Sequence, residues 1–92
     1  MRHAIGIHAI WRVARDGRVH ELLVEENFSV AGVVNPENLD NLIVYEDPKT
    51  AGISDDLVDN LIELVLDKGG SVTFCPQGSL KEYDHIAAIL RY

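Results

Sequence analysis

Twice along this chain a stripe of apolar residues at helical spacing stops at a glycine and gives way to a short apolar run. The first stripe is Ile7, Ile10, Trp11 and Ala14, at i, i+3, i+4 and i+7, which predicts an amphipathic helix from about Ala4 to Arg15. His8, Arg12 and Arg15 fall on its opposite, wet face. Asp16-Gly17 closes it, because glycine takes the left-handed conformation that ends a helix. The following segment, Arg18 to Glu26, centres on Leu22-Leu23-Val24, and its lack of alternation predicts a strand covered on both faces. The second unit has Ser54 as a predicted N-cap, with Asp55 and Asp56 in a first turn where negative charge suits the helix dipole. It continues to Lys68 and stops at Gly69-Gly70. Ser71 to Cys75 then alternates, with Val72 and Phe74 on one face, and Pro76 ends it. Helices and strands in this order predict an α/β domain with a mixed sheet.

The length of 92 residues fits one domain spanning residues 1–92. Between the two glycine-closed units, residues 27–53 read as an irregular insertion punctuated by Pro36, Asn38, Asn41, Pro48 and Gly52. Leu42 to Tyr45 inside it predicts a short strand near an edge. Gln77 to Asp84 is rich in turn residues and leads to a last strand, Ile86 to Tyr92. Leu57, Val58, Leu61, Ile62, Leu64, Val65 and Leu66 give the second helix an apolar arc broader than one sheet contact requires. Part of it is therefore expected to meet a second chain or a further segment. A homodimer through the sheet or this helix is one way of covering it.

Nothing in the sequence predicts catalysis. Asp55, Asp56, Asp59, Glu63 and Asp67 are spaced as the solvated side of a helix, not as an acid–base pair. The histidines His3, His8, His20 and His85 include no i, i+4 pair that would suit zinc. Cys75, the single cysteine, reads as a small core thiol with no neighbour in sequence to make it a thiolate. Gly69-Gly70 follows a helix instead of opening one, the wrong polarity for a phosphate loop. No cofactor fingerprint, metal motif or nucleophile–base pair is present, so the chain is expected not to be an enzyme. No apolar run approaches the ~18 residues of a membrane span, and His3, Gly6, His8 and Arg12 interrupt any signal peptide. One cysteine also excludes an internal disulfide, which predicts a reduced, cytoplasmic protein.

Charge is unevenly spread. The net charge is −7, which argues against general nucleic-acid binding. Yet residues 1–20 hold Arg2, Arg12, Arg15 and Arg18 against the single acid Asp16, and the remainder is strongly acidic. A basic head of this kind either steers one surface toward RNA or satisfies acids within the fold or on a partner. His8, Arg12, Arg15 and Arg18 are the candidate contact residues.

Two segments carry a family resemblance. The first is Trp11-Arg12-Val13-Ala14-Arg15-Asp16-Gly17-Arg18-Val19 leading into Leu22-Leu23-Val24-Glu25. The second runs from Leu57-Val58-Asp59-Asn60-Leu61 through Lys68-Gly69-Gly70-Ser71-Val72 and closes on Ile86-Ala87-Ala88-Ile89-Leu90-Arg91-Tyr92. Together they resemble the C-terminal domain of class-1 peptide-chain release factors and Pelota, and more closely the related bacterial baeRF families. Gly17, Gly69, Gly70, Leu90, Arg91 and Tyr92 are the motif residues, with structural roles. The resemblance implies a three-layer α/β/α sandwich shared with kink-turn-binding ribosomal proteins, here with or without its first helix. It also implies a binding module that engages a partner GTPase or the ribosome. Hydrolysis in those factors belongs to a Gly-Gly-Gln loop of another domain, and no such tripeptide occurs here. The kink-turn pattern Gly-x-Asn-Glu-x-x-Lys falls on Gly6, His8, Ala9 and Arg12, so its Asn-Glu pair is replaced and kink-turn RNA is not an expected partner. The relatives carry a further helix before the segment matching Ala4, so the chain is expected to be either a fragment or a shortened stand-alone version.

Overall fold

A computed structural model describes residues 2–45 and 55–92. Both predicted glycine stops are helix ends of the same kind. Helix α1 spans Ile7–Arg15 and helix α2 spans Leu57–Asp67. In the first, Gly17 N–H bonds Ala14 C=O at 3.0 Å and Arg18 N–H bonds Val13 C=O at 3.0 Å. In the second, Gly69 N–H bonds Leu66 C=O at 3.0 Å and Gly70 N–H bonds Val65 C=O at 2.9 Å. These paired bonds form the Schellman motif, which needs a left-handed residue, and Gly17 and Gly69 sit at φ +71° and +86°. Gly70 serves by size: a Cβ there would lie 2.8 Å from both the Val19 carbonyl oxygen and Val65 Cγ1.

The first helix starts later than its apolar stripe suggests. His3–Ile5 forms a strand, β1, and Gly6 at φ +81° turns the chain into α1, so Ala4 belongs to the sheet. Strand β2, Val19–Glu25, lies where Leu22-Leu23-Val24 places it. In the middle of the chain, β3 (Ala31–Val34), β4 (Leu42–Val44) and β5 (Asp55–Asp56) form a small sheet in the order β4-β3-β5, with β4 at its edge as expected. Only β4 carried a sequence signal there. Ser54, the predicted N-cap, lies outside the described residues. Asp56 caps α2, its carboxylate accepting from the N–H groups of Val58 and Val30 at 3.0 Å each, so it does not belong to the wet face. Strand β6 is Ser71–Cys75, and β7 is Ile86–Leu90 after a 3-10 turn at Lys81–Tyr83.

The main sheet runs β1-β7-β2-β6. β2 pairs with β6 in parallel, and β7 is antiparallel to both β1 and β2, so the closing strand is interior. Leu22, Val24, Ile86 and Ala88 share one face by register. They form a single core with Ile7, Ile10 and Trp11 of α1 and Leu57, Leu61 and Val65 of α2. Both helices therefore cover the same face. The described residues make two layers, the sandwich without its first helix, and β2 is therefore not flanked by helices on both sides as its unbroken apolar run suggests. Leu23 on the second face is half-buried by a loop instead. The α/β class and the mixed sheet are as expected.

Candidate interaction surfaces

The basic head is held by the turn that joins β3 to β4. Trp11 Nε1 donates to the Leu39 carbonyl at 2.8 Å, Arg12 Nη2 to Asn41 Oδ1 at 3.1 Å, and Arg15 Nε to Asp40 Oδ1 at 3.2 Å. Asn35 and Asn38 fold that turn by accepting from the N–H groups of Glu37 and Asp40. The buried Trp11 and the exposed Arg12 and Arg15 thus all meet polar groups of the insertion. Arg18 binds the main-chain oxygen of Tyr92 through Nε and Nη2, at 3.2 and 2.9 Å, with its guanidinium 5.5 Å from the Tyr92 ring centroid. His8 is exposed and stands apart from these three, at the start of α1. The structure brings Arg12 and Arg15 together over one loop and leaves His8 and Arg18 at opposite ends of the helix.

Arg91, one of the motif residues of the closing segment, binds main-chain carbonyls. Its Nε donates to Val19 O at 3.2 Å and its Nη2 to Lys68 O at 3.1 Å, which ties the C-terminus of α2 to the start of β2. Tyr92 leaves most of its surface wet, and Leu90 packs against the core.

The second face of the sheet carries the feature that sequence reasoning missed. Glu25 is 4% exposed at the end of β2 and accepts from Gly78 N–H at 2.8 Å, Leu80 N–H at 2.9 Å and His85 Nδ1 at 3.0 Å. Burial pushes its pKa up, but the bonds from Gly78, His85 and Leu80 outweigh that and hold it below the ordinary value. His85 stacks against Phe28 with ring centroids 5.5 Å apart, and Asp84 and His85 both adopt positive φ. This carboxylate pins the loop between β6 and β7 and carries Leu80 and Tyr83 over the second face. They border a shallow apolar hollow of about 280 Å³ with His3, Leu23, Ala87 and Ile89. No sequence signal marks the arrangement, because Glu25 and its partners are more than fifty residues apart.

Cys75 is a free, partly buried thiol. Among the described residues no group of three or more His, Cys, Asp or Glu could hold a metal ion. No described helix is long and apolar enough to cross a membrane.

This small mixed sheet with its two helices is similar in fold to release factor C-terminal domains. The C-terminal domain of a peptide chain release factor from Methanosarcina mazei superposes with a TM-score of 0.65 at 23% identity, over 98% of this chain and 69% of that one. Dom34 of S. cerevisiae, a translation termination-like factor involved in RNA quality control pathways and interacting with Hbs1, gives 0.62 at 18% identity, over 99% of this chain and 22% of that one. The archaeal translation termination factor aRF1 gives 0.58 at 19% identity, over 98% and 20%. The chain thus spans about two thirds of the first structure's length and about a fifth of the other two. At these identities the likeness is one of fold. No family model matches the sequence, and no curated protein does.

Proposed function

We propose that this chain is a non-catalytic docking module of a translation-associated protein, related to the bacterial baeRF proteins, which binds a protein partner at the ribosome. The observation that carries this reading is the likeness over nearly the whole chain to domains of translation termination factors, one of which interacts with a protein partner, Hbs1. A protein partner is favoured over RNA by the fate of the basic head. Arg12 and Arg15 meet Asn41 and Asp40, Arg18 is committed to Tyr92, and the body of the chain is acidic. His8-Ala9 in place of the Asn-Glu pair speaks against kink-turn RNA. In this reading His8, Arg12, Arg15 and Arg18, spread along α1 and its C-terminal turn and partly engaged by Asn41, Asp40 and Tyr92, meet single acids of a partner surface and do not track a phosphate backbone.

Co-sedimentation of the folded chain with ribosomes at low and moderate salt tests the reading. Association is expected at both, because a dock held by apolar contact changes little over a range where phosphate contacts weaken steeply. Binding lost between the two salts would assign RNA as the partner. No association at either salt would leave the alternative, an oligomerisation or docking domain of a larger protein with no ribosomal role, which the helix-free sheet face favours.

A further inference from the structure

Strand β6 is the outer strand of the main sheet and pairs only with β2 among the described residues. Exposed edges are ordinarily blunted by charge, proline, a bulge or shortness. Ser71-Val72-Thr73-Phe74-Cys75 holds no charge and no proline, and all five residues pair in regular register with β2. The opposite edge, β1, is only three residues long. Cys75 turns its carbonyl inward, to Glu26 N–H at 2.8 Å. Alternation along the strand then directs the N–H and C=O groups of Val72 and Phe74 outward.

Apolar side chains flank those free groups. Phe74 is 59% exposed and Leu66 54%. The chain passes from β2 through the small sheet and α2 to its parallel neighbour β6, a connection for which the right-handed path is the rule. At about 100° per residue, Asp59, Ile62 and Leu66 fall on the flank beyond Val58 and Val65, overhanging the β6 edge. Among the described residues the charges on this side are acidic: Asp59 on the same flank of α2, Glu63 one step further round toward solvent, and Glu21 on the other face, which accepts from the Thr73 hydroxyl at 2.6 Å. Among the described residues, two neighbouring cations are engaged elsewhere. The Lys68 side chain runs beside Gly17, and Arg91 is held by Val19 and Lys68 carbonyls.

We propose that the β6 edge takes an extended segment of a partner protein, alternating apolar and basic residues, as a fifth strand. Main-chain bonds to Val72 and Phe74 supply the pairing, Phe74 and Leu66 receive the apolar side chains, and the acids select the basic ones. A second copy of the chain is a poor occupant, since pairing β6 with itself brings two acidic α2 helices together in a chain of net charge −7. The inference deepens the proposed docking role and rests on it, but peptide binding reads the edge itself, whereas co-sedimentation reads the link to the ribosome.

The test uses a synthetic eight-residue peptide alternating valine and lysine, and its valine–glutamate counterpart, titrated into the isotopically labelled chain. The lysine peptide is expected to bind at least tenfold more tightly than the glutamate peptide and to slow amide exchange at Val72 and Phe74 at least tenfold. Phe74→Pro removes an outward N–H, which edge strands tolerate, together with the exposed ring that receives an apolar side chain, so it keeps the native fold elsewhere in the amide spectrum and loses binding. Asp59→Lys with Glu63→Lys is expected to reverse the preference between the peptides. Equal affinity for both peptides, or shifts gathered away from β6, would overturn the proposal. So would protection of Val72 and Phe74 that rises with protein concentration alone, which would assign the edge to a second copy.

Discussion

The two faces of the main sheet are closed by different physics. One face is covered by α1 and α2, whose Ile10, Leu57 and Leu61 are fully buried against Leu22 and Ile86. That closure is a matter of apolar area, worth roughly 25 cal/mol per Å² and indifferent to pH. The other face is covered by a loop, and its few apolar side chains reach the sheet because one carboxylate, Glu25, gathers Gly78, Leu80 and His85. A sheet can thus be finished on one side by area and on the other by hydrogen-bond geometry, and the two closures should fail under different conditions.

The largest effect is expected on the helix side. Leu61→Ala should cost about 2–5 kcal/mol, the range for emptying a well-packed leucine site, read as the free energy of urea unfolding. A smaller loss is expected from Glu25→Gln, which keeps an acceptor but turns an amide donor toward N–H groups that already donate. If Glu25→Gln proved the more damaging of the two, the ranking of the faces would be reversed. The same variant sharpens the contrast through pH. Because the folded pKa of Glu25 lies below the unfolded one, its stabilisation is complete above the ordinary glutamate value of ~4.3 and is lost as pH falls through the folded value. The urea midpoint of the wild type should decline over that acid range, and the decline should be shallower in Glu25→Gln; an identical decline would show that Glu25 does not govern it. The smallest change is expected from Arg15→Ala, since an exposed ion pair with Asp40 contributes at most ~1 kcal/mol.

Legibility followed the same division. Ile7, Ile10, Trp11 and Ala14 announce α1, and all four are buried, because a helix repeats its contacts within one local stretch of chain. The stops at Gly17 and Gly69 are equally local. β1 was hidden because Ala4 and Ile5 read as the lead-in of that helix, and only the pairing of His3–Ile5 with Ala87–Ile89, some eighty residues away, makes them a strand. β3 was hidden in the same way, as Ala31–Val34 finds its partners in β4 and β5. Among the candidate contact residues, the sequence marked Arg12, Arg15 and Arg18 as a basic face but could not show that Asn41, Asp40 and Tyr92 answer them.

By itself the sequence determined the α/β class, the two helices with their glycine ends, and the existence of a closing strand, since each rests on periodicity or turn chemistry within a dozen residues. The tertiary structure alone decided that both helices share one face, that Glu25 fastens a loop across the other, and that β6 is the open edge among the described residues. Those outcomes depend on which distant segments meet, and a strand pattern records that a residue is apolar without recording what comes to cover it.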